Sequence, residues 1–173
     1  RIYDFLFVRG NYAIAMADFP THTLGPEIGD KPLPADKAVR FAMDVATGMS
    51  VAHQSGIIHR DLKPANVLID DTGLLKIVDF GVAAAQHQGD TQLTKTGYVI
   101  GSPKYMAPEQ ILGKKVDERA DVYSLGVLLY ELLTGATPFD AGRLKEAGFD
   151  ELRRIIREEE PPVPSARVST LAA

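Results

Sequence analysis

The chain has 173 residues, of which 45% are hydrophobic and 24% charged. This composition excludes a disordered segment and is typical of one folded domain. A net charge of −4 without a basic stripe argues against a nucleic-acid partner, and the lack of cysteine excludes disulfides and thiolate chemistry. No segment reaches the ~18 apolar residues of a membrane span. We therefore expect a cytoplasmic location for these residues, with any membrane anchor of the full-length protein lying elsewhere.

Two apolar runs at the start of the chain predict an antiparallel β-hairpin. They cover residues 2–8 and 12–16, and the turn signal Arg9-Gly10-Asn11 separates them. Residues 19–34 are rich in proline and glycine, which leaves room for little more than one helical turn.

Apolar residues then recur with helical spacing. From about Ala35 to Gln54 this spacing predicts an amphipathic helix that ends at Gly56. The apolar face of this helix holds Ala38, Phe41, Ala42, Val45, Met49 and Ala52. Two short apolar runs, 67–69 and 75–78, flank a turn-rich tetrapeptide and predict a second hairpin.

The second half of the chain is predicted to be mainly helical. Residues 82–104 lack periodicity and predict a long surface loop, which in a compact domain is usually functional. Residues 119–134 are apolar almost all round, as expected for a helix buried in the middle of a domain, and Gly135 ends it. An amphipathic helix follows at 149–156, then an extended exit at 161–164 and a frayed end. This order of elements predicts an α+β fold dominated by helices.

Polar residues in the middle of the chain meet the needs of phosphoryl transfer. Asp61 is the natural carboxylate to accept or orient a hydroxyl proton, and Lys63 can reach a transferring phosphate and offset its growing negative charge. Asn66 and Asp79 offer hard oxygen ligands, which suit magnesium rather than zinc. Gly81 lets the backbone turn tightly after Asp79, so that the carboxylate can face the metal.

Three motifs resemble the catalytic loop, the metal-binding turn and the end of the activation segment of eukaryotic-type (Hanks-type) protein kinases. They are His59-Arg60-Asp61-Leu62-Lys63-Pro64-Ala65-Asn66, Asp79-Phe80-Gly81 and Ala107-Pro108-Glu109. The lysine two residues after the catalytic-loop aspartate resembles the serine/threonine branch, and the runs 101–110 and 155–162 resemble bacterial members. The resemblance implies a kinase-like α+β fold, with a mainly helical C-terminal lobe and a remnant β-hairpin of the N-terminal lobe.

The same resemblance implies how a nucleotide would be held. Asp61 would be the base, Lys63 the phosphate contact, and Asn66 and Asp79 the two metal ligands. All of these except Asp61 would contact ATP. Met16 would stand at the gatekeeper position, and backbone groups of Ala17, Asp18 and Phe19 would bind the adenine. Leu68 would lie under the adenine ring. The implied cofactors are ATP and Mg²⁺.

Further residues would have structural roles by the same resemblance. His59 and Phe80 would stack in a spine above Asp121 of the buried helix. Ser102 stands where the family more often has threonine, and we expect its hydroxyl to keep a contact with the catalytic aspartate and lysine. Glu109 would form a buried ion pair with an arginine that lies beyond residue 173.

Arg60, directly before the catalytic aspartate, resembles kinases that are switched by phosphorylation of the activation loop. Thr94 and Thr96 are then candidate phosphosites, because a phosphate there could pair with Arg60. The remaining histidines show no partner at ligand spacing and receive no role: His22, His53 and His87.

The resemblance also implies a division of the chain. Residues 1–19 would be a remnant of the small lobe with the hinge, residues 20–164 the large lobe, and residues 165–173 a frayed tail. No Gly-x-Gly-x-x-Gly occurs, and only Lys31 and Lys37 precede the catalytic lysine, so the phosphate lid and the strand lysine of the family are not in this sequence. We therefore expect a fragment that transfers phosphate poorly or not at all alone.

The predicted function of the parent protein is ATP-dependent phosphorylation of serine or threonine on protein substrates. One alternative is a pseudokinase or regulatory binding module without turnover; the intact set of chemical residues counts against it. A second is a small-molecule kinase on a related fold, against which the Ala107-Pro108-Glu109 motif weighs.

Overall fold

The protein, described here as a computed structural model, has an α+β architecture of two small antiparallel sheets and a helical body. The structure describes residues 2–8, 11–16, 22–29, 31–80 and 102–171, with side chains between residues 22 and 169. Its strands are β1 (Ile2–Val8), β2 (Asn11–Met16), β3 (His22–Thr23), β4 (Val67–Ile69) and β5 (Leu75–Ile77). Its α-helices are α1 (Gly25–Ile28), α2 (Ala35–Gln54), α3 (Pro108–Ile111), α4 (Arg119–Thr134), α5 (Ala141–Glu146), α6 (Phe149–Glu158) and α7 (Pro164–Leu171). None of these helices is long and apolar enough to span a membrane.

The two predicted hairpins are confirmed in their strands. β1 pairs with β2 antiparallel, with Val8 opposite Asn11 and an irregularity between Ile2 and Asp4. β4 pairs with β5, with Val67 opposite Ile77. The order of the second sheet is β3-β4-β5. The short strand β3 was not predicted, because two residues are too few to show a period of two.

Helices α2 and α4 form the centre of the molecule. They pack against each other and, with α1 and the second sheet, enclose a core of buried apolar side chains. Its members include Leu24, Phe41, Val45, Met49, Leu62, Val67, Leu128 and Leu132. The predicted bounds of α2 agree with the structure, and a left-handed Gly56 (φ 71°) follows it. Leu62, which lies between the predicted base and the predicted phosphate contact, is itself a member of this core.

The buried helix α4 also has the predicted bounds and ends at Gly135, whose φ of 74° is left-handed. The prediction that it is apolar and buried all round needs one correction. Val122 is 62% exposed, whereas Asp121 and Ser124, both polar, are buried. Those two polar side chains find hydrogen-bond partners inside the protein, so the helix can bury them in place of a valine.

The C-terminal region forms a smaller core. Met106, Ile111, Leu144, Leu152 and Ile155 pack together there, so the amphipathic helix predicted at 149–156 is confirmed in α6.

The frayed tail predicted for residues 165–173 is wrong over most of its length, because α7 continues to Leu171. Proline at the first position suits a helix start. Tyr130 Oη of α4 also donates a hydrogen bond to the carbonyl of Pro162 at 2.8 Å, which fixes the entry to α7.

Candidate active site

The buried carboxylate of Asp121 holds the backbone of the loop that carries the predicted base, Asp61. Asp121 of α4 is 1% exposed. Its Oδ2 accepts a hydrogen bond from the backbone N–H of His59 at 2.8 Å, and its Oδ1 accepts one from that of Arg60 at 2.7 Å. His53 Nε2 at the end of α2 donates to the same carboxylate at 2.8 Å. Three donors thus compensate the burial of the charge.

Two residues of the site have left-handed backbones without being glycine. Arg60 has a φ of 67° and Asp79 a φ of 62°. Such a conformation costs about 1–2 kcal/mol for a residue with a Cβ, and it is retained where surrounding contacts impose it. The hydrogen bond from the backbone N–H of Arg60 to Asp121 is one such contact. Arg60 directly precedes the predicted base and Asp79 is itself a predicted metal ligand, and strained residues are often found at functional sites.

The His59 ring joins the catalytic loop to the metal-binding turn. His59 is fully buried, and its Nε2 lies 2.9 Å from the carbonyl oxygen of Val78. The backbone N–H of Asp61 donates to the Nδ1 of the same ring at 3.3 Å. Because a carbonyl only accepts and an amide only donates, the ring is neutral with its proton on Nε2. The ring centroid lies 4.8 Å from that of Phe80 with the ring planes inclined at 49°, so the two rings are in contact but are not stacked in parallel.

The predicted base, phosphate contact and metal ligand lie together. Lys63 Nζ donates to Asp61 Oδ2 at 2.6 Å. Asn66 Nδ2 donates to the same oxygen at 3.1 Å and to the carbonyl of Asp61 at 2.8 Å. The side chains of Asp61 and Lys63 are 32% and 20% exposed, which leaves both accessible from outside. The Asp61 carboxylate is therefore held in place by hydrogen bonds from Lys63 and Asn66.

Asn66, one predicted metal ligand, is joined by a backbone hydrogen bond to Val78, the residue directly before the other predicted ligand, Asp79. Val78 N donates to the carbonyl of Asn66 at 2.9 Å. The amide nitrogen of Asn66 is engaged with Asp61, so its Oδ1 is the atom left for a ligand. Within the described residues no cluster of three or more His, Cys, Asp or Glu could hold a metal by itself. Two oxygen donors without a full protein cage fit Mg²⁺, which commonly takes its other ligands from phosphates and water.

One expected contact is absent among the described residues. No hydrogen bond joins the Ser102 hydroxyl to Asp61 or Lys63, which pair with each other. Ser102 does line the same cavity as Lys63. Glu109 is half-buried and makes no ion pair with any residue that the structure describes. Its charge instead adds to burial in raising the pKa of Tyr123.

Several predicted nucleotide and regulatory residues lie outside the described residues. They are Ala17, Asp18, Phe19, Gly81, Thr94 and Thr96, together with the side chain of Met16. Leu68 is described: it is half-buried in the middle of β4, opposite Thr23 on one side and Lys76 on the other.

A cavity of about 330 Å³ opens beside the catalytic loop. Its wall includes Lys63, Ser102, Tyr105 and Glu131. Tyr105 Oη donates to Glu131 Oε2 at 2.5 Å, and Lys104 Nζ lies 3.4 Å from the other oxygen of that carboxylate. Burial and the adjacent carboxylate raise the pKa of Tyr105 far above its ordinary range. The phenol therefore stays protonated and anchors residues 102–107 to α4.

Sequence reasoning missed three residues of this region. His53, left without a role, pairs with Asp121; its position four residues after Met49 on the buried face of α2 was the available signal. Gln110 is buried and bonds the catalytic loop, although nothing in its neighbours along the chain indicates this. Glu131 lies in an apolar helix, where a charged residue is itself a signal of a partner.

Comparison with known proteins assigns the family. The chain matches the protein kinase domain family over residues 2–171. It is 42% identical over 152 residues to the serine/threonine-protein kinase PknB of Mycobacterium tuberculosis strain H37Rv, covering 88% of this chain and 22% of that protein. It is likewise 42% identical over 134 residues to the serine/threonine-protein kinase PksC of Streptomyces coelicolor, covering 78% and 23%. The chain thus spans less than a quarter of the length of these relatives. It belongs to the protein kinase domain family and is similar to its bacterial serine/threonine members.

Proposed function

We propose that the protein containing this chain phosphorylates serine or threonine residues of other proteins, with ATP and Mg²⁺. The observation that supports this most is the arrangement of Asp61, Lys63 and Asn66. All three lie within hydrogen-bond distance on a loop that Asp121 fixes from below. The names of the bacterial relatives, which are serine/threonine-protein kinases, support the same substrate class.

In this proposal Asp61 orients the substrate hydroxyl and accepts its proton. Its carboxylate already accepts hydrogen bonds from Lys63 and Asn66, so it is held in place before a substrate arrives. Lys63, now paired with Asp61, would turn its ammonium toward the transferring phosphoryl group. Asn66 and Asp79 would hold the metal. Bound Mg²⁺ would offset the negative charge of the phosphate oxygens.

We further propose that Met16, the backbone of residues 17–19 and Leu68 hold the nucleotide base. Residues 1–19 would then belong to the small lobe and the following residues to the large lobe. The 173 residues contain no Gly-x-Gly-x-x-Gly and no strand lysine. We therefore expect these 173 residues by themselves to transfer phosphate poorly.

Arg60 supports a regulatory role for the activation segment. Its Nε is buried and has no hydrogen-bond partner within the described part of the chain. A phosphate on Thr94 or Thr96 would supply a charge-assisted acceptor for this guanidinium. A variant with both threonines replaced by valine cannot carry a phosphate at these positions. Its activity should therefore be lower than that of the phosphorylated wild-type protein and close to that of the unphosphorylated one.

The test of the main proposal is phosphate incorporation by the full-length protein. With labelled ATP, Mg²⁺ and a protein substrate, label should appear on serine or threonine. Asp61→Asn, which keeps the size but loses the base, should lower kcat by roughly 100- to 10,000-fold. Glu160→Gln, an exposed carboxylate outside the site, is the matched control. Equal incorporation by wild type and Asp61→Asn would contradict the proposal.

A further inference from the structure

Gln110 is a buried polar side chain for which the proposed chemistry has no direct use. It lies in α3, directly after the Ala107-Pro108-Glu109 motif, and is 6% exposed. A buried amide is costly unless both its donor and its acceptor are satisfied. Its hydrogen-bond partners are therefore informative.

The amide of Gln110 joins two segments that are distant in sequence. Its Nε2 donates to the carbonyl of Arg60 at 2.6 Å, and its Oε1 accepts from the backbone N–H of Ala107 at 3.0 Å. Because one partner only accepts and the other only donates, a single orientation of the amide satisfies both. The side chain thus connects the start of α3 to the catalytic loop.

The carbonyl that Gln110 binds belongs to a strained residue. Arg60 has a left-handed φ of 67°, and Asp121 holds its N–H. Gln110 holds the other side of the residue, in the peptide group that leads into Asp61. Two side chains from separate helices therefore fix the peptides before and after Arg60. The second of these sets the direction in which the Asp61 side chain leaves the backbone.

We propose that Gln110 is a positioning residue for Asp61, and that it transmits the placement of residues 102–107 to the base. This inference rests on the proposed kinase function. Loss of the Gln110 contact would leave the Arg60–Asp61 peptide free to rotate toward a less strained conformation. A displacement of about 1 Å at a catalytic group lowers turnover by up to about 100-fold, while substrate binding elsewhere is retained.

The experiment compares three variants of the full-length protein. Gln110→Leu has a similar shape and removes both hydrogen bonds. Gln110→Glu, assayed at about pH 8.5, well above the ordinary glutamate pKa, keeps an acceptor for Ala107 but loses the donor to Arg60. Thr134→Val is the matched control: Thr134 is 1% exposed and hydrogen-bonds Tyr130 and Ala136, away from the catalytic loop.

Both Gln110 variants should lower kcat by roughly 10- to 100-fold with KM for ATP within about twofold of wild type. Thr134→Val should lower the melting temperature but leave kcat within about twofold. If Gln110 serves only to start α3, Gln110→Glu will behave as wild type, and that outcome would overturn the inference. A kcat of Gln110→Leu equal to that of Thr134→Val would overturn it too.

Hydrogen exchange separates this inference from the proposed function. Amides of residues 59–66 should exchange faster in Gln110→Leu than in wild type, whereas those of α5 should not change. A wild-type protein that transfers no phosphate would refute the kinase proposal. Unchanged exchange at residues 59–66 would refute the role of Gln110, whether or not the protein is a kinase.

Discussion

The Asp121 carboxylate accepts a hydrogen bond from the backbone N–H of Arg60 at 2.7 Å, across 61 residues of sequence. With the hydrogen bond from the backbone N–H of His59, this contact ties the catalytic loop to the central helix α4. The loop can hold a strained backbone because α4 is a rigid support for it. Conformation at the site therefore depends on a residue that would never touch a substrate.

Asp121→Asn should destabilise the protein by about 3 kcal/mol, because the new amide would direct N–H groups at buried donors. The measurement is the denaturant midpoint, with the slope of the transition checked for two-state behaviour. Asp117→Asn, at a surface ion pair just before the same helix, should change the midpoint little. Equal midpoints for Asp121→Asn and wild type would show that the hydrogen bonds to the Asp121 carboxylate contribute nothing to the free energy of unfolding.

Asn66→Ala should raise the Mg²⁺ concentration needed for half-maximal activity by roughly 10- to 100-fold. The variant would lose the Oδ1 atom that we propose as a Mg²⁺ ligand, in addition to the hydrogen bond from Nδ2 to Asp61. Loss of the proposed metal ligand and loss of the hydrogen bond to Asp61 would both lower kcat. The Mg²⁺ concentration at half-maximal activity is therefore the appropriate readout, because it reports the loss of the ligand. Removal of the metal with a chelator should abolish wild-type transfer. Gln54→Ala, an exposed amide on α2, should leave the requirement unchanged. An unchanged requirement in Asn66→Ala would argue against Asn66 as a ligand.

Gly135→Ala and Gly126→Ala should act in opposite directions. Gly135 has a φ of 74°, and a Cβ there would meet the backbone of Lys31 at 3.1 Å, so this substitution should destabilise by about 1–2 kcal/mol. Gly126 lies inside α4 with nothing within 4 Å of a new Cβ, and alanine there should stabilise by about 0.5–1 kcal/mol. Both changes in the free energy of unfolding are measured by denaturant unfolding. Stabilisation by Gly135→Ala would be inconsistent with a left-handed residue at the end of α4.

The stability that Glu27 contributes should vanish in acid. Lys37 Nζ donates to Glu27 Oε2 at 2.6 Å and His22 lies 3.1 Å from Oε1; Lys37 first and His22 second hold the pKa of Glu27 below its ordinary 4.5. A depressed carboxyl pKa adds stability that is present above the unfolded pKa and lost as the pH falls through the folded one. Glu27→Gln should thus cost less than about 1 kcal/mol at pH 7, and this cost should shrink as the pH falls below 4.5 and vanish once Glu27 is protonated in the folded protein as well.

This pH dependence is measured as the difference in unfolding free energy between variant and wild type across the pH range. Glu160→Gln is the control, since Glu160 is exposed and makes no ion pair among the described residues. A Glu27 difference that stayed constant down to pH 2 would mean that the contribution is not electrostatic.

The sequence by itself determined the bounds of α2 and α4 and the strands of both predicted hairpins, and its motif at residues 59–66 indicated the protein kinase family. Those features are local: a helical period, a turn glycine and eight adjacent residues contain the information within a short window. The predicted roles of Asp61, Lys63, Asn66 and Asp79 rest on equally local information, namely the kinds of atoms that these side chains carry.

Only the tertiary structure decided which partners hold that chemistry in place. The contacts of Asp121 with the catalytic loop, of Gln110 with Arg60 and of His53 with Asp121 join residues 50 to 68 positions apart. The tail after Pro164 is helical for the same reason, since its packing on α4 overrides a weak local signal. Hydrogen-bond partners at such separations depend on how helices and strands pack, and a sequence pattern carries no record of that packing.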